Sequence, residues 1–167
     1  MPVLGAVLTG GRSSRFGSDK ARADWRGATL ADHAAEAIRP HVDAVVRVGG
    51  ADGVPDRPRA GLGPLGGIAG ALDHAATHGF GTVLTIGCDM PRVPQGLVKA
   101  LLRRAPAYCA DAPVLGHWSA ALGAQLMAHA EGEDRSVIRW ARSIGALPIV
   151  PAEPPANVNT PEDLATL

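Results

Sequence analysis

Residues 3–9, Val3-Leu4-Gly5-Ala6-Val7-Leu8-Thr9, form an apolar run that stops at the pair Gly10-Gly11. An apolar run this short, closed by glycine, reads as a buried strand feeding a loop. Arg12, Arg15 and Lys20 follow within ten residues, with Ser13 and Ser14 between them. In an α/β sheet, ligands bind at the carboxyl ends of the strands. Gly10 and Gly11 let the backbone approach an anion without a Cβ in the way. Successive loop N–H groups can then cradle phosphate oxygens, and the three cations add full charge. The pattern lacks the Gly-Lys-Ser/Thr ending of a Walker A loop and the G-x-G-x-x-G of dinucleotide enzymes. Gly61-Leu62-Gly63-Pro64-Leu65-Gly66 does fit the latter formally. It follows Val54-Pro55-Asp56-Arg57-Pro58-Arg59, which is no strand, so the dinucleotide reading is rejected.

The rest of the chain alternates strand and helix patterns. Strands are expected at Asp43–Val48, Gly81–Gly87 and Ala146–Val150, with two short strands within Ala110–Leu122 around a turn at Gly116. Helices are expected at Ala28–Arg39, with Leu30, Ala34, Ala37 and Ile38 on one face, and at Leu65–His78 behind Pro64. Others are expected at Val93–Arg104, Leu122–His129, Arg135–Ile144 and Pro161–Leu167. Gly49–Gly63 reads as loop with room for a short strand. The alternation predicts an α/β layered, mostly parallel sheet whose topology changes toward the C-terminus. At 167 residues, one domain spanning 1–167 is expected.

A formal net charge of zero disfavours a general nucleic-acid partner. Cys88 and Cys109 match no metal or redox spacing and are expected to be reduced thiols. No run is long enough to span a membrane, and Val3–Leu8 is too short for a signal segment. A cytoplasmic location is therefore expected. His74 and His78, four apart on a helix, lack a third ligand and are read as helix-surface residues.

Asp89, in Thr85-Ile86-Gly87-Cys88-Asp89-Met90-Pro91, follows an apolar strand. If that strand is parallel to the first, Asp89 reaches the same rim as the glycine loop. A bare carboxylate would repel a polyphosphate there. Mg²⁺, which takes one or two carboxylates plus phosphate oxygens and waters, explains it. Asp56 is a second acidic candidate, ahead of Gly63.

Taken together, Leu8-Thr9-Gly10-Gly11-Arg12-Ser13-Ser14-Arg15-Phe16-Gly17-Ser18-Asp19-Lys20 resembles the signature of the molybdenum cofactor guanylyltransferases. Gly63-Pro64-Leu65-Gly66-Gly67 resembles that family's G-P-L-x-G, and Cys88-Asp89-Met90-Pro91 its C-D-x-P. Asn157-Val158-Asn159-Thr160-Pro161-Glu162-Asp163-Leu164 resembles its N-x-N-T-P-E-D-L. The resemblance implies a three-layer, Rossmann-like nucleotidyltransferase fold of glycosyltransferase-A type. It implies guanylyl transfer from GTP to molybdopterin with Mg²⁺, and transient contact with molybdoenzymes or maturation proteins. By the same resemblance, Leu8, Thr9, Gly10, Gly11, Arg12, Ser13, Asp56 and Gly63 would face the nucleotide. Arg15 and Lys20 would neutralise its phosphates, Asp89 would hold the metal, and Asn157 and Asn159 would line the acceptor side. The alternatives are a cytidylyltransferase or other nucleotidyltransferase acting on a phosphorylated acceptor, and a non-catalytic nucleotide-binding module. Three departures stand out: Thr9 where the family usually has Ala, Phe16 for Met, and Trp118 in a segment that bears on the pterin-facing side.

Overall fold

The computed structural model describes residues 1–10 and 20–167, Lys20 by its backbone only. Among the described residues, eight strands form two sheets: β1 Val3–Leu8, β2 Asp24–Trp25, β3 Ala28–Thr29, β4 Ala44–Val48, β5 Thr82–Gly87, β6 Ala107–Cys109, β7 Ala112–Ser119 and β8 Leu147–Ile149. The main sheet runs β4-β1-β5-β7-β6-β8, and β2-β3 is a small separate hairpin. β1 pairs parallel with both β4 and β5, and β6 with β8, while β7 runs against its two neighbours. One reversed strand in an otherwise parallel sheet is the topological change expected toward the C-terminus.

Alternation along β1 divides the core. Leu4, Ala6 and Leu8 pack with helices α2 (Pro64–Thr77), α4 (Gly123–Ala130) and α5 (Val137–Ser143). Val7 turns the other way, to α1 (Leu30–Ile38) and α3 (Gln95–Leu102). The sheet therefore lies between two helical layers, the α/β three-layer arrangement that the sequence implies.

Local chemistry sets the helix ends. α1 starts two residues later than expected, because Thr29 caps it: its hydroxyl accepts from the Asp32 N–H and Asp32 accepts from the Thr29 N–H. Ala28 and Thr29 are spent on β3 instead. The buried face of α1 is Leu30, Ala31, Ala34, Ala35 and Ile38, so Ala35 replaces Ala37 on it. α2 has Pro64 in its first turn, where the missing N–H costs nothing. A second capping box, Thr160 with Asp163, opens the short α6 (Pro161–Leu164).

Gly116 is not a turn. It lies inside the eight-residue β7, and the turn falls earlier, between Cys109 and Ala112. A Cβ at Gly116 would overlap the Trp118 ring, so this glycine makes room for an aromatic rather than a bend. Trp118 is itself fully buried, tilted against Trp140 at 4.9 Å, and donates its indole N–H to Thr85 Oγ1 at 2.8 Å. It is core, and no substrate can face it.

Candidate functional site: a cleft at the strand ends

The registers of β1 with β4 and of β1 with β5 place Leu8 opposite both Val48 and Gly87. Three parallel strands thus end in line, and the chain leaves each at one rim. Thr9, Gly49 and Cys88 are the first residues beyond. The Thr9 N–H donates to Val48 O at 2.8 Å and the Cys88 N–H to Leu8 O at 3.1 Å, so the exits are tied together. An open cleft of about 290 Å³ lies on this rim. Leu8, Thr9, Gly10, Asp56, Gly63 and Asp89 all line it. The N-terminal turn and the position-89 carboxylate, 80 residues apart in sequence, share one space.

Gly49 builds one wall. Its φ is +88°, and a Cβ there would stand 2.7 Å from Gly10 N and 2.8 Å from Gly10 Cα. Only glycine lets the two loops touch. The Thr9 hydroxyl fastens the same turn, lying 3.0 Å from Val48 O and 3.2 Å from Gly49 O, to which it donates. Behind it stands Asp56, at the entrance to the loop that leads into α2. Burial pushes the Asp56 carboxyl above the usual carboxylate range. Its oxygens lie toward Gly49 and Gly66, with room that side chains at those positions would take.

Asp89 also lines the cleft and is half-buried. A Cβ on Gly87 would collide with Asp89 Oδ1, so the bare strand end is a seat for this carboxylate. Residues 156–158 clasp the loop behind it. The Val158 N–H donates to Asp89 O at 2.7 Å and the Ala156 N–H to Arg92 O at 3.2 Å. Asn157 and Asn159 are therefore brought to the Asp89 side, both exposed, although neither lines the cleft. Gly11, Arg12, Ser13, Arg15 and the Lys20 side chain lie outside the described residues.

The cleft also draws on Val48, Gly61, Pro64, Gly67, Gly87, Cys88 and Val114, which the sequence reading passed over. Val48 and Gly87 were within reach, as the ends of strands beside the first. Val114 was not, since it comes from the reversed β7. Neither cysteine is in a disulfide; Cys88 is half-buried at the cleft and Cys109 is fully buried, which raises its thiol pKa. His74 and His78 stack on each other at 3.9 Å on α2. Among the described residues, no group of three or more His, Cys, Asp or Glu could hold a metal by itself, and no helix is long and apolar enough to cross a membrane.

Parallel strand ends, a glycine-lined cleft and a carboxylate on it are the layout of an α/β nucleotide-handling enzyme, and the comparisons below make it a nucleotidyltransferase. Residues 5–146 match the model of the MobA-like NTP transferase domain. The chain is 33% identical to the molybdenum cofactor guanylyltransferase of Rhodobacter capsulatus, over 99% of this chain and 94% of that one. It is 34% identical to that of Rhizobium johnstonii, over 97% and 90%. The fold is similar to that of molybdopterin-guanine dinucleotide biosynthesis protein A from Archaeoglobus fulgidus, with a TM-score of 0.74 at 21% identity, covering 98% of this chain and 95% of that one. It is also similar to that of 2-C-methyl-D-erythritol 4-phosphate cytidylyltransferase from Thermus thermophilus, with a TM-score of 0.68 at 16% identity, covering 96% and 95%. The chain belongs to the molybdenum cofactor guanylyltransferase family, within the MobA-like NTP transferases.

Proposed function

We propose that this chain, as one catalytic unit over residues 1–167, transfers GMP from GTP to the terminal phosphate of molybdopterin and releases pyrophosphate. The observation that carries this reading is the common cleft of the Leu8–Gly10 exit and Asp89. The full-length likeness to relatives named for this activity supports it.

An oxygen of the acceptor phosphate forms a bond to the α-phosphorus of GTP. The bond from that phosphorus to the β-bridging oxygen breaks, and pyrophosphate leaves with the electron pair. The attacking group is ionised at neutral pH, so no general base is required. The task is to hold anions together in line. Leu8, Thr9, Gly10 and Gly63 form the nucleotide wall. Gly10 leaves space beside a purine, since a Cβ there would meet only Gly49 Cα, at 3.5 Å. Asp56, partly desolvated, accepts from donors on the base. Arg12, Ser13, Arg15 and Lys20 are assigned to the phosphates by the signature they form, and Asn157 and Asn159 to the acceptor side.

Asp89 fits a divalent ion, most simply Mg²⁺: it offers hard oxygen ligands from a seat that a Cβ on Gly87 would fill, and nucleotide oxygens and water complete such a shell. When bound, the ion supplies Lewis-acid charge stabilisation and a template for the phosphates. Asp89 holds and orients it.

The test is pyrophosphate release from GTP with Mg²⁺ and molybdopterin, with CTP as competitor. Acceptor-dependent release from GTP that CTP does not displace is expected. Preference for CTP overturns the base assignment, and failure to release pyrophosphate from either nucleotide overturns the activity.

A further inference from the structure

The β2-β3 hairpin carries an arrangement that nucleotide binding does not use. Its two-residue turn is Arg26-Gly27, with φ of +50° and +82°. Arg26 is the only non-glycine residue with positive φ among the described residues, at a turn position where Asn or Gly is the low-cost choice. Its guanidinium carbon stands 4.6 Å from the centre of the Trp25 ring. A second guanidinium, that of Arg92, stands 5.2 Å from the same ring. Arg92 is three residues beyond Asp89, and the 156–158 clasp holds its carbonyl. Its side chain also lines a surface groove of about 480 Å³ with Pro94, Glu153 and Pro154.

Two exposed cations thus converge on one half-buried aromatic beside the metal-facing loop. Other arginines have their charge taken up: Arg39 by Glu36, Arg47 by Asp32, Arg57 by Asp73, Arg59 by Glu131 and Arg139 by Asp134. Among the described residues, no Asp or Glu side chain stands within ion-pair distance of Arg26 or Arg92; Arg26 donates one N–H to the carboxyl oxygen of Leu167, at 3.4 Å, and Arg92 is the more open of the two. Packing on Trp25 restricts both side chains while leaving the Arg92 N–H edge, and the Arg26 N–H groups not given to Leu167, open to an anion.

We propose that Arg26 and Arg92, held by Trp25, form the subsite for the anionic phosphate of the acceptor. The assignment rests on the phosphotransfer reading above, because that reaction needs a second set of cations, apart from those facing the triphosphate, to bring a phosphate dianion to the α-phosphorus.

Steady-state transfer with GTP and molybdopterin tests it. Arg92→Ala and Arg26→Asn are each expected to raise the KM for molybdopterin roughly tenfold, the scale of one charge-assisted hydrogen bond. The KM for GTP should stay unchanged, and Arg92→Lys should recover part of the loss. Arg26→Asn should also unfold at an equal or higher temperature, since it relieves the turn; a structural role predicts the reverse. Arg39→Ala, whose charge Glu36 already occupies, controls for lost net charge. An unchanged KM for molybdopterin in both variants, or a rise in the KM for GTP alone, overturns the subsite. Absence of transfer by the unaltered protein refutes the activity instead. The subsite is then read separately by Trp25 fluorescence during titration with inorganic phosphate: a saturable change lost in Arg92→Ala supports it, and no change refutes it.

Discussion

The two walls of the cleft are made differently. The side proposed for the nucleotide is backbone: three in-register strand ends, Gly10 against Gly49, and the Thr9 hydroxyl on two carbonyls. The Asp89 side, proposed above for the acceptor, is side chains on short supports: Asp89 seated over Gly87, a clasp from residues 156–158 behind its loop, and, outside the cleft lining, Arg92 and Arg26 on Trp25. A backbone wall suits a ligand part common to a large superfamily, and a side-chain wall suits a part that varies. Substitutions on the first should therefore damage binding and stability together. Those on the second should damage chemistry or acceptor affinity and spare the fold.

The largest effect is expected from Asp89→Ala. Mg²⁺-dependent turnover should fall by about 10³-fold or more, as for loss of a preorganised charge-stabilising group, with the thermal unfolding midpoint nearly unchanged. Turnover within a few-fold of the unaltered protein removes Asp89 from the metal. Gly49→Ala comes next. It forces a positive φ and presses on Gly10, so urea unfolding should register a loss of about 2–4 kcal/mol, with a weaker affinity for GTP. A change in only one of the two would break the contrast between the walls.

Asp56→Asn sharpens it through pH. The folded-state pKa of Asp56 is raised by burial, so the folded protein holds this proton more firmly than the unfolded chain. Its contribution is then favourable at acid pH and is lost as pH climbs from the unfolded value near 3.8 through the raised one. The stability of Asp56→Asn relative to the parent should thus rise across that window and level off above it, while GTP affinity at neutral pH falls. A flat difference would show that Asp56 is solvated.

Thr9→Ala should raise the KM for GTP a few-fold, matching a hydrogen bond of about 1 kcal/mol, and Thr9→Ser should restore it. Trp118→Phe should leave both Michaelis constants unchanged and cost about 1 kcal/mol of stability through the lost bond to Thr85. Any shift in acceptor KM would return Trp118 to the substrate side.

Much of this was legible in the sequence, for a physical reason. The first strand, the helix behind Pro64 and the strand before Asp89 are buried on regular periods, and parallel pairing sends their ends to one rim whatever the details. That was enough to join Thr9, Gly10 and Asp89; Asp56 and Gly63 were placed with them through the family resemblance. The acceptor wall was less legible. Trp25, Arg26 and Arg92 are brought together by a four-residue hairpin and by backbone bonds from residue 156, and neither leaves a periodic trace. Gly116 misled because a glycine beneath an indole and a glycine in a turn are the same letter. Trp118 misled because its neighbours in sequence say nothing of Thr85 and Trp140.

The clasp over Asp89 has a consequence for how the molecule is made. Residues 156 and 158 are synthesised after every strand of the main sheet. A nascent chain can assemble its sheet and the Thr9–Gly49 turn while the far bank of the active centre is still unsecured. The floor of the cleft is thus laid before the loop that carries its carboxylate is pinned down.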